Sequence, residues 1–339
     1  MATDNATSAE SRWRGLTVVV TGAGGFIGSH LTARLVREGA KVRAFVHYNS
    51  RGDPGHLREF ADDVREHLEV VAGDVRDASR VAEIVRGADV VFHLAALIGI
   101  PYSYLSPRDV VATNVEGTLN VLEAVRNAGV GRLIHTSTSE VYGTARYAPI
   151  DEAHPLQGQS PYSATKIGAD KLVESYHRAF GVPVTTVRPF NTFGPRQSAR
   201  AVIPATIVQA LTADAIRLGS LTPKRDFTFV RDTVDGFVRC AASDRCIGEV
   251  INIGTGTEVT IGEVVDEVRR IVGRPVPVLA DEARVRPVQS EVMRLICDRR
   301  KAAELAEWQP TVSLAEGLRE TVKWIEAHLD AYPMRAYAI

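Results

Sequence analysis

Short apolar runs alternate with helical patterns through the first half of the chain. The runs are rich in Val, Ile, Phe and Leu, which is typical of strands covered on both faces. They predict six strands, at Thr17–Thr21, Lys41–His47, Leu68–Ala72, Val90–Ala95, Arg132–Thr136 and Pro183–Arg188. Between the strands, apolar residues recur at helical spacing, as in Ile27–Glu38 and Asn114–Asn127. This alternation predicts an α/β fold with a doubly wound parallel sheet and helices on both faces.

The pattern changes after Arg188. Pro, Gly and charged residues become commoner, strand signals shorten, and helices are predicted at Ile261–Val272 and Leu314–Leu329. We therefore expect one domain over residues 15–188 and a smaller C-terminal α/β lobe over residues 189–339, with Val250–Ile253 returning to the sheet. Residues 1–14 are polar and rich in Ala, Ser and Thr, which predicts a disordered leader.

Composition excludes several classes of function. Hydrophobic residues make up 45% and charged residues 24% of the 339 residues, as in ordinary globular proteins. A formal net charge of −1 provides no basic surface for nucleic acid or an anionic membrane. The three cysteines form no metal motif, and their odd number suits a reducing compartment. The chain has no apolar run of about 18 residues and no signal core, so we expect a cytoplasmic protein without a metal.

A glycine-rich segment follows the first predicted strand directly. Its glycines, Gly22, Gly25 and Gly28, form a G-x-x-G-x-x-G pattern. The first glycine allows a tight turn, the second lets the backbone approach a pyrophosphate, and the third lets the helix lie close to the strand. Phe26 and Ile27 open the helix, where unpaired N–H groups favour an anion. The segment predicts a Rossmann domain that binds a dinucleotide.

The residues some 20 positions further on bear on which dinucleotide binds. NAD enzymes usually carry a carboxylate there for the ribose hydroxyls. This chain instead has His47, Asn49 and Ser50, and Asn49 or Ser50 could hold an unphosphorylated ribose. Arg43 or Arg51 would instead meet a 2′-phosphate. We predict NAD, with NADP as the alternative.

Two more strand ends complete the predicted cofactor site. Asp74 and Val75 end the third strand, where the Asp74 carboxylate would accept from the adenine amine; the alternative is a turn-forming Asp. Leu94, Ala95 and Ala96 end the fourth strand. The small alanines would let the backbone approach the nicotinamide ribose.

A second group of polar residues follows the fifth strand. Thr138, Ser139 and Glu140 stand just after it, and Tyr162 and Lys166 follow in a Tyr-x-x-x-Lys spacing. One helical turn separates Tyr162 from Lys166, so both side chains project from one face. The Lys166 charge favours the phenolate, which can take a proton from a sugar hydroxyl as hydride leaves for the nicotinamide. Thr138 can hydrogen bond the same oxygen.

Glu140 determines the predicted reaction type. Once a sugar carbon is a ketone, the proton on the next carbon is acidic enough for a carboxylate to remove. A hydroxyl beta to the ketone then leaves as water and hydride returns to the far carbon, so the net reaction is a redox-neutral dehydration. The alternative is a surface glutamate at a strand end.

These motifs together resemble a known family. The glycine pattern, Thr138-Ser139-Glu140, Tyr162-x-x-x-Lys166 and the run from Arg188 to Pro195 resemble the extended short-chain dehydrogenase/reductases, nucleotide-sugar branch, over residues 16–325. Several stretches look most like 4,6-dehydratases of nonulosonic (legionaminic-type) sugar pathways. The resemblance implies an NAD-dependent nucleotide-sugar 4,6-dehydratase. Thr138 and Tyr162 would serve the 4-hydroxyl, and Glu140 would take the C5 proton.

Ser139 departs from the commonest dehydratase pattern. Many 4,6-dehydratases have Asp there, as the acid for the departing hydroxyl, although GDP-mannose 4,6-dehydratases carry Ser. UDP-glucuronate decarboxylases also carry Thr-Ser-Glu and are the main rival. A nucleotide-sugar epimerase or a 5,6-dehydratase of the same superfamily is the further alternative.

The resemblance also implies how the substrate is held. The family's motif positions for the sugar and diphosphate correspond to Asn191, Arg200, Arg225 and Arg286, and an arginine provides a planar cationic fork for phosphate. Arg225 and Arg286 could alternatively be ion-paired surface residues. The partner would be a nucleotide-diphosphate sugar, with the base undetermined. The Asn114–Asn127 helix and the helix with Tyr162 would pair in a homodimer, as in relatives; alternatively, both are simply buried against the sheet.

Overall fold

The computed structural model describes residues 12–281 and 288–332. The strands are β1 Thr17–Thr21, β2 Lys41–His47, β3 Leu68–Gly73, β4 Val90–His93, β5 Arg132–Thr136, β6 Val184–Pro189, β7 Asn191–Phe193, β8 Ile216–Leu218, β9 Lys224–Arg225, β10 Phe227–Phe229, β11 Val250–Ile253, β12 Val259–Thr260 and β13 Val278–Ala280. Seven of them form one sheet in the order β11-β6-β5-β4-β1-β2-β3. Every neighbouring pair in this sheet is parallel, which confirms the predicted doubly wound fold.

The helices that join these strands cover both faces of the sheet. They are α1 Phe26–Arg37, α2 Asp62–Arg65, α3 Ala78–Val85, α4 Ile100–Leu105, α5 Pro107–Val111, α6 Gly117–Ala128, α7 Pro161–Phe180, α8 Val202–Thr212, α9 Val230–Ala242, α10 Ile261–Val272, α11 Arg300–Ala306 and α12 Leu314–Ala327. Within the described ranges, none of the helices has the length and apolar character needed to span a membrane.

The alternation of β1 side chains shows why the sheet has two cores. Val18 and Val20 are fully buried in one core, together with Leu31 of α1. Val19, which points to the opposite face, is fully buried in the second core with Leu122 of α6. Successive strand side chains point to opposite faces, so an apolar run without polar gaps fills both cores.

The predicted elements agree with the structure to within a few residues. β4 ends at His93, two residues earlier than predicted, because the chain then turns over the glycine-rich segment. The helix predicted from Asn114 begins as a π-helical turn, Ala112–Glu116, and continues as α6. β11 pairs with β6 and so returns to the main sheet as expected. Among its described residues, the rest of the C-terminal lobe contributes three two-stranded sheets.

Trp13 is buried in the core, although it falls within residues 1–14, for which a polar leader is predicted. Trp13 is 2% exposed, and its ring centroid lies 5.9 Å from that of Phe92 on β4. Burial of this one aromatic ring among polar neighbours corrects the predicted boundary by two residues, while residues 1–11 lie outside the described residues.

We predict that Trp13→Ala lowers the free energy of unfolding by about 3 kcal/mol, because it leaves a cavity against Phe92. Arg14→Ala, at an exposed neighbouring position, is the matched control and should be near neutral. Urea unfolding monitored by circular dichroism measures both. An equal, small effect of the two substitutions would contradict this role for Trp13.

Candidate active site

The glycine-rich segment makes a turn that side chains would block. Gly22 has φ +72°, and a Cβ there would lie 2.9 Å from the Ala95 nitrogen. A Cβ on Gly28 would lie 2.2 Å from the Gly22 oxygen, so only glycine lets α1 approach β1 this closely. The turn is closed by the Gly25 N–H, which donates to the Gly22 oxygen at 3.1 Å. The contacts of Gly22 and Gly28 thus require glycine at these two positions of the motif.

The start of α1 is suited to an anion. Gly25 occupies the N-cap position in extended conformation, and it has no side chain to cap the first turn. The first turn, which includes Phe26 and Ile27, contains no acidic residue. The N–H groups of a helix's first turn have no partner within the helix and carry the positive end of its dipole. The residues present therefore fit a dinucleotide pyrophosphate at this position.

A segment of the following loop, residues 53–60, lies against the glycine turn. The His56 N–H donates to the Gly24 oxygen at 3.0 Å, and a Cβ on Gly24 would lie 2.4 Å from the Pro54 oxygen. Asn49 shapes the start of this segment, because its Oδ1 accepts from the Asp53 N–H and its Nδ2 donates to the Asp53 oxygen. The side chain predicted to hold the ribose thus also supports a turn.

The residues predicted to meet the adenosine lie at the ends of β2 and β3. His47 is exposed, and its Nδ1 lies 3.8 Å from Asp74 Oδ2. Arg76 hydrogen bonds Asp74, which lowers the pKa of that carboxyl. Val75 is buried, and a Cβ on Gly117 would lie 2.8 Å from its Cγ2. The Asp74 carboxyl is therefore a charged acceptor at physiological pH, and the next residue, Val75, packs closely against the backbone of Gly117.

The chain after β4 passes over the glycine turn. The N–H groups of Leu94 and Ala95 both donate to Thr21 Oγ1 at 3.1 Å. Leu94, Ala95 and Ala96 are all half-buried, and the backbone of the first two lies beside Gly22. These contacts place the end of β4 beside the end of β1, and the approach of this backbone to the nicotinamide ribose stays a prediction.

The Thr-Ser-Glu motif forms a capped turn after β5. Thr138 is extended, and its Oγ1 accepts from the Glu140 N–H at 3.2 Å. This bond caps a 3₁₀ helix, Ser139–Tyr142, in which Ser139 is buried and Glu140 half-buried. The cap thereby places the Thr138 hydroxyl and the Glu140 carboxylate on the same short turn.

Tyr162 and Lys166 reach this turn from α7, confirming that the two motifs meet. The Tyr162 hydroxyl hydrogen bonds Thr138; burial and the nearby Glu140 and Asp170 carboxylates raise the pKa of Tyr162. Lys166 Nζ donates to the Thr136 oxygen at 2.7 Å, and burial lowers the pKa of Lys166 to about 8. The phenol is thus protonated at physiological pH, and its deprotonation would require nearby positive charge.

The predicted substrate residues lie in different surroundings. Asn191 is half-buried two residues after β6, at the carboxyl edge where parallel sheets bind ligands. Arg225 is buried, and its Nη2 lies 3.1 Å from Glu291 Oε1. Arg200 is exposed, and its N–H donates to Ser198 Oγ. The fourth predicted residue, Arg286, lies outside the described residues.

Sequence reasoning missed a buried carboxylate behind the predicted catalytic residues. Asp170 lies one turn beyond Lys166 on α7 and pairs with Arg188 at 2.8 Å. It also accepts hydrogen bonds from Ser137 and His135 near the end of β5. The i, i+4 spacing from Lys166 was the available signal, because it places Asp170 on the face that α7 turns toward the site.

The GDP-mannose 4,6-dehydratase family matches residues 19–321 of the chain. The chain belongs to this family. A similar relative is a UDP-glucose 4-epimerase of Mycolicibacterium smegmatis, 34% identical, with 91% of this chain and 98% of the relative covered. A UDP-N-acetyl-alpha-D-glucosaminuronate decarboxylase of Bacillus cytotoxicus is 31% identical, with 90% and 96% covered.

Solved structures of the family have the same fold. The structure of DesIV, a dTDP-glucose 4,6-dehydratase from Streptomyces venezuelae with NAD and TYD bound, has a TM-score of 0.82 at 31% identity. The alignment covers 93% of this chain and 98% of DesIV. Relatives of similar identity therefore include an epimerase, a decarboxylase and a dehydratase, so family membership alone does not specify the reaction.

We predict that Gly24→Ala weakens retention of the bound dinucleotide at least tenfold, because the new Cβ displaces Pro54 and the segment 53–60. Overpacking of this kind should also cost about 1–3 kcal/mol of stability. Gly131→Ala is the matched control, since its Cβ would meet nothing closer than 3.5 Å. The rate of dinucleotide release into a coupled assay distinguishes them, and equal release rates would refute the role of this contact.

Proposed function

We propose that the protein is an NAD-dependent nucleotide-sugar 4,6-dehydratase, which converts a UDP- or GDP-linked hexose or N-acetylhexosamine to its 4-keto-6-deoxy product. NAD is the cofactor of this family, and it is bound in the DesIV structure. The observation that carries the proposal is the position of Glu140. Its carboxylate stands on the same turn as Thr138 and close enough to Tyr162 to raise the pKa of that phenol.

The first step would be oxidation at C4 of the sugar. NAD, held by the glycine turn and the start of α1, supplies the acceptor and later the donor of a hydride. Tyr162 takes the proton of the 4-hydroxyl as the C4 hydride departs, and the Thr138 hydroxyl orients the same oxygen. Lys166, buried one turn away, provides positive charge that favours the phenolate.

Glu140 would then perform the step that distinguishes a dehydratase. The 4-ketone makes the C5 proton acidic, and the Glu140 carboxylate removes it. The C6 hydroxyl leaves with a proton as water, forming a C5–C6 double bond. Hydride returns to C6 and a proton to C5, so the hydrogen lost from C4 ends on the new methyl group. Oxidation and reduction balance within one sugar.

The Ser139 side chain is also compatible with a second reaction, the decarboxylation of a nucleotide-linked uronate. At this position the side chain is a buried hydroxyl, without the carboxylic acid that would protonate a leaving hydroxyl in many 4,6-dehydratases. Decarboxylation of a nucleotide-linked uronate needs no such acid, and a decarboxylase is among the relatives. We favour dehydration because of the resemblance to the nonulosonic-pathway 4,6-dehydratases in the stretches around Glu140 and Tyr162.

The remaining predicted contacts concern the nucleotide diphosphate. We propose that Asn191, Arg225 and Arg200 meet the sugar and diphosphate. Of the two arginines, Arg225 is buried and paired with the Glu291 carboxylate, and Arg200 is exposed. A buried guanidinium can donate to two phosphate oxygens at once. The predicted homodimer and the identity of the base stay predictions.

The product mass from a panel of nucleotide sugars tests this proposal. The panel contains the UDP and GDP forms of N-acetylglucosamine, glucose, mannose and glucuronate. A product lighter by one water from a neutral sugar is the expected result. Loss of one carbon dioxide from the glucuronate would instead identify a decarboxylase. A shifted sugar proton spectrum without a mass change would identify an epimerase.

We predict that Glu140→Gln slows product formation at least about 100-fold while C4 oxidation survives, because only the C5 base is removed. Absorbance of reduced nicotinamide in a single-turnover experiment should therefore still rise on mixing with substrate. Glu174→Gln, in a surface ion pair with Lys171, is the matched control. Wild-type product formation by Glu140→Gln would contradict the assigned role.

A further inference from the structure

We propose that Asp170 is a positioning residue of the active site, whose buried carboxylate holds the end of β5 in place and provides a negative charge one helical turn from the buried Lys166. The proposal concerns the Thr138–Tyr162–Lys166 chemistry of C4 oxidation. It therefore does not depend on whether dehydration, decarboxylation or epimerisation follows.

The contacts of Asp170 account for both of its oxygens. The side chain is 4% exposed, and Arg188, 5% exposed, donates to Oδ2 from Nη2 at 2.8 Å and from Nε at 3.1 Å. Ser137 Oγ donates to the same oxygen at 2.8 Å, and His135 Nε2 lies 3.3 Å from Oδ1. Two of these three partners belong to the end of β5 or the residue directly after it.

These bonds fix the segment from which the catalytic motif begins. Thr138 directly follows Ser137, and Lys166 donates to the backbone oxygen of Thr136. Successive turns of α7 therefore hold three consecutive positions at the strand end, Lys166 through Thr136 and Asp170 through Ser137 and His135. A displaced strand end would move the Thr138 hydroxyl away from Tyr162.

The charges around Lys166 show why a carboxylate is placed here. The titratable and charged groups near Lys166 and Asp170 are His93 on β4, His135 on β5, Arg188 on β6, Glu140 and Tyr142 in the 3₁₀ helix, and Tyr162 on α7. Burial and the Lys166 charge lower the pKa of His135 to about 4. Burial, the neighbouring His135 imidazole and the Lys166 charge likewise lower the pKa of His93. Both imidazoles are therefore neutral at physiological pH.

Asp170 is the carboxylate that counteracts the effect of burial on the pKa of Lys166. Burial lowers the pKa of Lys166, and the Asp170 charge raises it. Burial also disfavours the Asp170 carboxylate, but the hydrogen bond from His135 and the charges of Arg188 and Lys166 hold the pKa of Asp170 at about 2. The Arg188 pair alone is weak evidence for a stabilising role, since a buried ion pair can often be replaced by apolar residues.

The decisive measurement is the titration of Lys166 in the holoenzyme. The chain has six lysines, so selective ¹³Cε-lysine labelling gives few NMR signals, and Lys166→Arg identifies the one of interest. In the wild type this signal should titrate near pH 8, well below the ordinary value of ~10.4. In Asp170→Asn we expect the midpoint to fall by about one further unit. The alkaline limb of kcat should move the same way.

Controls separate this role from a purely structural one. Asp232→Asn removes another buried carboxylate, which accepts from Thr311 and Val312, and should lower stability without moving the Lys166 midpoint. Asp170→Asn leaves Arg188 unpaired, so Asp170→Asn/Arg188→Gln provides a variant without the lone buried charge. It should show the same fall in the midpoint.

Either of two results would overturn the proposal. One is an unchanged Lys166 midpoint in a folded variant that lacks the Asp170 charge. The other is a wild-type Lys166 that is already neutral at pH 7, which needs no Asp170 variant to detect. Because no substrate enters the titration, both results are independent of the proposed dehydratase activity.

Discussion

The predicted catalytic centre depends on how α7 packs against the end of β5. Lys166 donates to the Thr136 oxygen, and Asp170 accepts from Ser137 and His135, so two turns of one helix fix three consecutive residues at the end of β5. Each of these polar groups is buried or half-buried and would be costly to leave unpaired. The same bonds therefore stabilise the helix–strand contact and position the side chains predicted to be catalytic.

The parallel sheet brings the cofactor and the reacting groups to one edge. The ends of β1 and β4 meet at Gly22 and Ala95, and β5 next to them ends in the turn with Glu140. In a parallel sheet the carboxyl ends of all strands lie at one edge, so residues far apart in sequence become neighbours there. The segment 53–60 then lies against the glycine turn from outside. The strand order therefore places the glycine turn after β1 between the ends of β4 and β2. It also places the turn with Glu140, which Tyr162 contacts, after β5 on the other side of β4.

Part of this arrangement could be predicted from sequence, and the reasons differ between residues. The strands were found because burial on both faces requires uninterrupted apolar runs such as that of β1. The glycines were found because close backbone approach tolerates no Cβ. Trp13 was assigned to a polar leader, since a single aromatic residue has no periodicity. Asp170 was missed because a helical carboxylate normally faces solvent, and only the fold brings Arg188 to it.

The central claim is that Glu140 removes the C5 proton on the way to loss of water. Turnover of the UDP and GDP forms of N-acetylglucosamine, glucose and mannose in deuterium oxide, read by product mass and proton NMR, tests it most directly. The predicted product has lost one water and carries one solvent deuterium at C5. Loss of water without deuterium at C5, or turnover of these sugars without loss of water, would contradict the claim.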